Sequence, residues 1–210
     1  MEDEMLAHID GERFTAAGAA VASIKCRQIV QGGLYRDWRE QYMGHESWTP
    51  LHDAKTEALE DLVDELGGQQ LLVAFEFGHD LVRLRKQFGN QLPVINGTTP
   101  PKIASRYIAQ WNSGELPLLA LHPASAGHGL NLQEGNANHI AFYAQTWDYD
   151  AYDQLIRRLQ RQGNKAKSIF VYNILARNTV DEVMVLRTKQ KGVVQDRFLT
   201  ALNTYRSSRK

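Results

Sequence analysis

Five short apolar runs, QQLLVAFEF (69–77), LPVIN (92–96), LPLLALH (116–122), HIAFYA (139–144) and SIFVYNIL (168–175), are separated by longer amphipathic stretches. No other feature of the chain restricts its fold as tightly. The stretch AKTEALEDLVDELGG places Ala58, Leu59, Leu62, Val63 and Leu66 on one helical stripe; LVRLRKQF, PPKIASRYIAQWNSG, YDAYDQLIRRLQRQGN and TVDEVMVLRTKQK follow the first, second, fourth and fifth runs, and a glycine-rich stretch follows the third. Runs that are apolar on both faces belong to strands covered on both sides, and helices between them supply the cover. The pattern therefore predicts an α/β protein: a mainly parallel sheet with helices on both faces. In such sheets the working edge lies beyond the carboxyl ends of the strands, so the loops after Phe77, Asn96, His122, Ala144 and Leu175 are the informative ones.

Residues 1–50 read differently. GERFTAAGAAVASIKCRQIVQ carries Val21, Ile24, Ile29 and Val30 at helical intervals and QGGLY supplies the stop, so residues 1–31 are predicted as a helical lead-in segment. Residues 36–53, with Trp38, Tyr42, Trp48 and Pro50 in no sustained period, are predicted as a connecting loop. The expected division is a lead-in segment at 1–50 and a main domain at 51–210. With 24 basic and 24 acidic residues, no whole-molecule field draws the chain to a polyanion, and any such contact must be local. The single cysteine, Cys26, excludes an internal disulfide and a multi-thiolate zinc site. No apolar run is long enough to cross a bilayer and the first ten residues are acidic, so a cytoplasmic location is expected, with no membrane contact.

A parallel α/β chain invites a nucleotide search, yet GxxxxGK(S/T) is absent, so nothing here wraps a triphosphate by that device. Asp64-Glu65 falls inside a predicted helix, and Asp181-Glu182 opens one with Thr179 and Glu182 at capping-box spacing, so neither pair is expected to hold a metal. In residues 149–164 Tyr152, Leu155, Ile156 and Leu159 form an apolar stripe, while Gln154, Arg158 and Arg161 share the opposite face and Gly163 is expected to end the helix. By itself that face reads first as solvated charge, as most charge runs are, and only second as a guanidinium pair offered to a phosphate. The loop after His122 is built from Ser125, Ala126, Gly127 and Gly129, small enough for backbone amides to approach an oxyanion, though also suited to a plain tight turn.

Together these stretches resemble, in order over about residues 20–202, the C-terminal RecA-like lobe of Swi/Snf-type superfamily-two helicases, including bacterial and phage DNA translocases. CRQIVQGGLY resembles the segment leading into that lobe, WTPLHDAKTEALEDLVDEL its first helix, and LLVAFEFGHDLVRL its first strand with helicase motif four. SAGHGLNLQ resembles motif five. Gln154, Arg158, Arg161 and Gly163 reproduce the spacing of motif six, and SIFVYNILARNTVDEVMVLRTKQK resembles the closing strand and helix. His128, Asn164 and Ala144 depart from the usual residues of motif five, motif six and the strand before Trp147.

The resemblance implies a second motor lobe, inactive alone, completed by an N-terminal lobe in cis or in trans that brings the phosphate loop and the magnesium-binding acids. ATP and Mg2+ would be shared with that lobe. Arg158 and Arg161 would act as arginine fingers; Gln154, Gly127, Gly129 and Asn131 would face the nucleotide; Ser125, Ala126, Phe77 and Gly78 would face DNA, duplex being the expected form. The host compartment would be the cytoplasm of a bacterial or phage-infected cell. Arg177, Lys189 and Lys191 are possible backbone contacts or simply surface charge. The alternative is a non-catalytic adaptor that docks DNA or a helicase partner. A small-molecule enzyme using His122, His128 and Asp148, and a metal site at His45 and His52, are the weaker rivals. Trp147 could stack on a base or anchor its helix, and Trp38, Trp48 and Trp111 are assigned to packing.

Overall fold

Parallel pairing organises the main body. The computed structural model describes residues 6–9, 12–15, 19–36 and 48–192, with side chains from residue 20 onward except 126–128. Five strands, β5 (Leu71–Ala74), β6 (Val94–Ile95), β7 (Leu118–Leu121), β8 (His139–Phe142) and β9 (Phe170–Asn173), form one sheet in the order β6-β7-β5-β8-β9. Every pair is parallel, with Leu71 opposite both Leu118 and His139. This is the RecA-like α/β architecture. The central strands are apolar on both faces because both faces are covered: Leu71, Leu72, Val73 and Ala74 are all buried.

The helices divide between the two faces. On one, α2 (Ala54–Glu65) and α3 (Gly78–Phe88) pack Leu59 and Leu84 against Leu71, Val73, Ala120 and Tyr143. On the other, α4 (Pro101–Asn112) and α5 (Tyr149–Leu159) pack Trp111, Leu155 and Leu159 against Leu72, Leu119, Ile140 and Phe142. Each fully buried leucine there stabilises by about 1.5–3 kcal/mol. Pro101 opens α4 at a position where a missing N–H costs nothing. Trp111 is wholly buried and its indole N–H donates to the Leu132 carbonyl at 3.2 Å. Residues 180–192 form a last helix, begun at Thr179, whose hydroxyl accepts from the Asp181 N–H.

The first fifty residues depart from the sequence reading in two places. The helix α1 (Ala19–Val30) is present, but it is preceded by an antiparallel pair, β1 (Leu6–Ile9) and β2 (Glu12–Thr15). Asp10-Gly11, a strong hairpin dipeptide, separates them in the sequence. The predicted loop also contains a strand: β3 (Gly33–Tyr35) pairs antiparallel with β4 (Trp48–Pro50). Trp38, Tyr42 and His45, and the amphipathic stretch 193–202, lie outside the described residues.

The lead-in helix is set into the main body. Lys25, Arg27, Gln28 and Gln31 are all buried. Gln31 donates to the Tyr143 carbonyl and Asp80, and accepts from Lys55, whose ammonium lies 2.6 Å from Asp181. Polar groups this deep persist only when partnered, and here they are.

Candidate functional site

Two edges of the sheet carry the residues of interest. At the carboxyl edge, β5, β6 and β7 run out into an open groove of about 680 Å³ whose lining includes Glu76, Gly78, Asn96, Thr98, His122 and Ser125. The groove forms where the two-residue edge strand β6 stops short, leaving α3 and the start of α4 on either side. It brings together Gly78 and Ser125, two of the residues assigned to nucleic acid. Phe77 is placed otherwise. Its ring is buried, stacked on His79 at 5.3 Å and covered by the Arg27 guanidinium, so its side chain is a structural wedge and offers no surface to a ligand.

The loop that carries Phe77 is shaped by one carboxylate. Asp80, fully buried, accepts from the N–H groups of Glu76 at 3.1 Å and Phe77 at 2.9 Å, a charged acceptor at the first turn of α3. Tyr35 caps the same turn by accepting from the His79 N–H. His79 sits inside a cage of Tyr35, Trp48 and Phe77, with both ring nitrogens lacking a hydrogen bond. Burial pushes its basicity below the usual histidine range, the nearby Asp80 opposing and Arg83 assisting.

The chain then crosses from edge to edge. After β7 a 3₁₀ turn, Pro123–His128, packs against α5 and ends at Gly129, whose left-handed φ of 74° suits glycine. Gly127 lies within this turn, and the side chains of Ala126 and His128 are outside the described residues. Gly129 and Asn131 are exposed; the Asn131 and Leu132 carbonyls are pinned to the end of α4 by Asn112 and Trp111. This segment leads to the opposite, amino edge.

There α5 ends. Its start is fixed by Asp148, which accepts from the Ala151 N–H at 3.1 Å, and its apolar stripe buries Leu155 and Leu159. Because α5 runs antiparallel to the strands, Arg158, in its last turn, is delivered to the amino edge. The guanidinium pair therefore does not share an edge with the groove, as the strand-end rule alone suggested. The helix also stops earlier than Gly163: Leu159 is its last residue, and the Asn164 carboxamide donates to the carbonyls of Leu159 and Ala137, both at 2.9 Å. Arg161 thus stands in the following turn, while Gly163, at φ 108°, lets that turn reverse.

Among the described residues neither the Arg158 nor the Arg161 side chain has an ion pair or hydrogen bond, although the Arg161 backbone N–H donates to the Leu159 carbonyl at 2.9 Å; the carboxylate Asp153 is taken by Arg157. Arg158 is half-buried, and its Nε is enclosed with no partner. Its basicity is lowered by burial first and by the positive charge of Arg161 second, so the two guanidiniums are close enough to repel. Beside the turn, the Gln133 Oε1 is also enclosed without a partner. Gln154, one helical turn before Arg158, is exposed. The free donors of the two guanidiniums are the groups here suited to an anion, whereas the Gln133 oxygen, an acceptor, is not.

The rival sites have structural employment. His122 accepts from the Ala124 N–H and Asp148 caps α5. His52 is hydrogen-bonded to the Ile29 carbonyl. Among the described residues no three of His, Cys, Asp and Glu gather to hold a metal ion. Asp64-Glu65 lies in α2, and Asp181 is committed to Lys55. Trp147 is covered by Arg187 of the last helix at 5.9 Å, which ties that helix to the start of α5. No described helix is long and apolar enough to cross a membrane.

Comparison with known proteins follows the same lines. Residues 54–163, just over half of the 210, match the family described as helicase conserved C-terminal domain. Protein p41 of Acyrthosiphon pisum secondary endosymbiont phage 1 is 38% identical over 208 residues, covering 96% of this chain and 42% of that one. The chromatin-remodeling ATPase INO80 of Candida albicans is 25% identical over 151 residues, covering 67% of this chain and 10% of that one. The crystal structure of the C-terminal part of the Fun30 ATPase domain superposes with a TM-score of 0.55 at 20% identity, covering 64% of this chain and 44% of the other. The chain thus spans less than half the length of each of these relatives.

Proposed function

Since this chain belongs to the helicase conserved C-terminal domain family and resembles the C-terminal part of Swi/Snf-type ATPases, we propose that it works as the second motor lobe of an ATP-dependent DNA translocase. The observation that carries the reading is the pair Arg158 and Arg161, three residues apart at the end of α5 and, among the described residues, without acidic partners, on the sheet edge opposite the groove. In this proposal a first lobe holds ATP by a phosphate loop and supplies the carboxylates for Mg2+. Gly129, Asn131, Arg158 and Arg161 fit the remaining side of a triphosphate, offering backbone amide, carboxamide and guanidinium donors and no carboxylate. Arg158 and Arg161 would neutralise charge that builds on the outer phosphates, and Gln154 and Gly127 would border them.

Nucleic acid, with duplex DNA the expected form, would lie along the other edge. There Gly78 and Ser125 line the groove, Ala126 follows in the turn, and Phe77 acts through its backbone and by holding the loop. The lobe comprises residues 51–210, and the lead-in segment 1–50 contributes α1 to its packing. Closure of two lobes on ATP and reopening after hydrolysis would move each grip along the phosphates in turn.

The test is reconstitution. This chain alone is expected to hydrolyse no ATP; joined to its cognate phosphate-loop lobe it gains DNA-stimulated ATPase, and Arg158→Ala or Arg161→Ala removes about 10³- to 10⁵-fold of the rate. Variants that hydrolyse at the wild-type rate refute the arginine role. DNA or partner binding with no turnover in any reconstituted mixture selects the adaptor reading.

A further inference from the structure

Helix α1 bridges the two halves of the sheet's carboxyl edge. The Arg27 guanidinium, on a residue only 8% exposed, lies 2.8 Å from the Glu76 carboxylate in the loop after β5, donates to the Gln145 carbonyl after β8 at 3.0 Å, and covers the Phe77 ring at 5.3 Å. One helical turn on, Gln31 makes a second rung between the same two segments, donating to Asp80 at 3.4 Å and to the Tyr143 carbonyl at 3.2 Å. Each segment leads somewhere different. The first is the loop that borders the groove through Gly78. The second runs through Thr146, whose hydroxyl accepts from the Asp148 N–H, into the cap of α5, the rod that carries Arg158 to the far edge.

Resting on the motor reading above, we infer that Arg27 is a positioning residue that couples the groove loop to the arginine helix. A guanidinium suits the task because its fixed fork engages a carboxylate and a carbonyl together while its face stacks on an aromatic ring. Arg158 lies nine residues from the first residue of α5, so a tilt imposed at the start of the helix is carried about 13 Å to Arg158 by a rigid element. The two loops are 69 residues apart in sequence (145 minus 76), and of the described side chains Arg27 alone bonds to both Glu76 and Gln145.

Hydrogen exchange on the full chain tests the bridge. In Arg27→Met, and in Glu76→Gln as a milder break from the other end, amides of 76–80 and 145–148 are expected to exchange about tenfold faster while those of Val73 and Ile140 keep their protection. A response in one loop only, in neither, or in the strands as well overturns the assignment. In the two-lobe assembly Arg27→Met is expected to lower DNA-stimulated kcat about tenfold with KM for ATP unchanged, and Arg27→Lys to recover part of it. Wild-type DNA-stimulated kcat in Arg27→Met removes the positioning role. Arg158→Ala run alongside separates the two ideas: if it turns over like wild type the motor reading falls, and if it is dead while Arg27→Met is unimpaired only the role of Arg27 falls.

Discussion

Removing Lys55 should cost this protein far more than removing a surface lysine, and the size of the loss can be worked out. Its Nζ lies 2.6 Å from Asp181 Oδ2, both side chains are 4% exposed, and the pair joins the start of α2 to the last helix. In Lys55→Met the Asp181 carboxylate stays buried with the Ala176 N–H, at 3.0 Å, as the donor left to it among the hydrogen bonds described. Stranding one member of a buried pair costs about 3–5 kcal/mol. For a chain of this length that lowers Tm by about 10 °C. Burial holds the Lys55 ammonium below its ordinary 10.5, outweighing the attraction of Asp181. A depressed folded-state pKa means that this group's contribution to stability is greatest above the unfolded value and falls as pH drops through the folded one. Hence Lys55→Met with Asp181→Leu should return to within about 1 kcal/mol of wild type. Urea unfolding of the two single variants and the double variant decides it. A single-variant loss below about 1 kcal/mol, or a double variant no better than the singles, refutes the argument.

Three other outcomes are expected. Stability should decline as pH falls through the histidine range of about 6.5, because unfolded His79 takes a proton that its cage of Tyr35, Trp48 and Phe77 refuses, and His79→Leu should flatten the part of the slope between pH 7 and 5 that exceeds the contribution of His139. Gly32→Ala should destabilise by at least about 2 kcal/mol in thermal unfolding, since φ is +86° and a Cβ there would run into the backbone oxygen of His52. Phe77→Ala should lose about 3–5 kcal/mol, against the near-zero change expected of a ring that only touches DNA.

What the sequence disclosed was set by how local each signal is. The five strands were readable because a strand buried on both faces is apolar at every position, as in Leu71–Ala74. Thr179 was readable as the start of a helix from its spacing to Glu182, although its hydroxyl accepts from the Asp181 N–H and the Glu182 N–H goes to the Thr179 carbonyl. The strand pair 6–9 and 12–15 is signalled in the sequence only by Asp10-Gly11, while the helical period of the alanines that follow speaks for a helix. The end of α5 was misplaced for a different reason: Asn164 reaches back to the Leu159 carbonyl while also holding Ala137, 27 residues upstream, and no window on the helix contains that competitor. The anchoring of α1 was equally invisible, because Arg27 bonds to a carbonyl 118 residues away and Gln31 to one 112 positions on. Arg158 and Arg161 were recognisable as a pair from spacing; that they lie at the amino edge follows only from the direction in which α5 runs.

The early end of α5 leaves its two arginines on different mountings. Arg158 is fixed to a rod whose other end is clamped at Asp148, whereas Arg161 sits in a short reversal held by its own N–H on the Leu159 carbonyl, by Gly163 at φ 108° and by the Asn164 carboxamide. In the proposed motor lobe the two charges would therefore rest on separate supports, so that substitution at Gly163 or Asn164 is expected to displace Arg161 and leave Arg158 where it is.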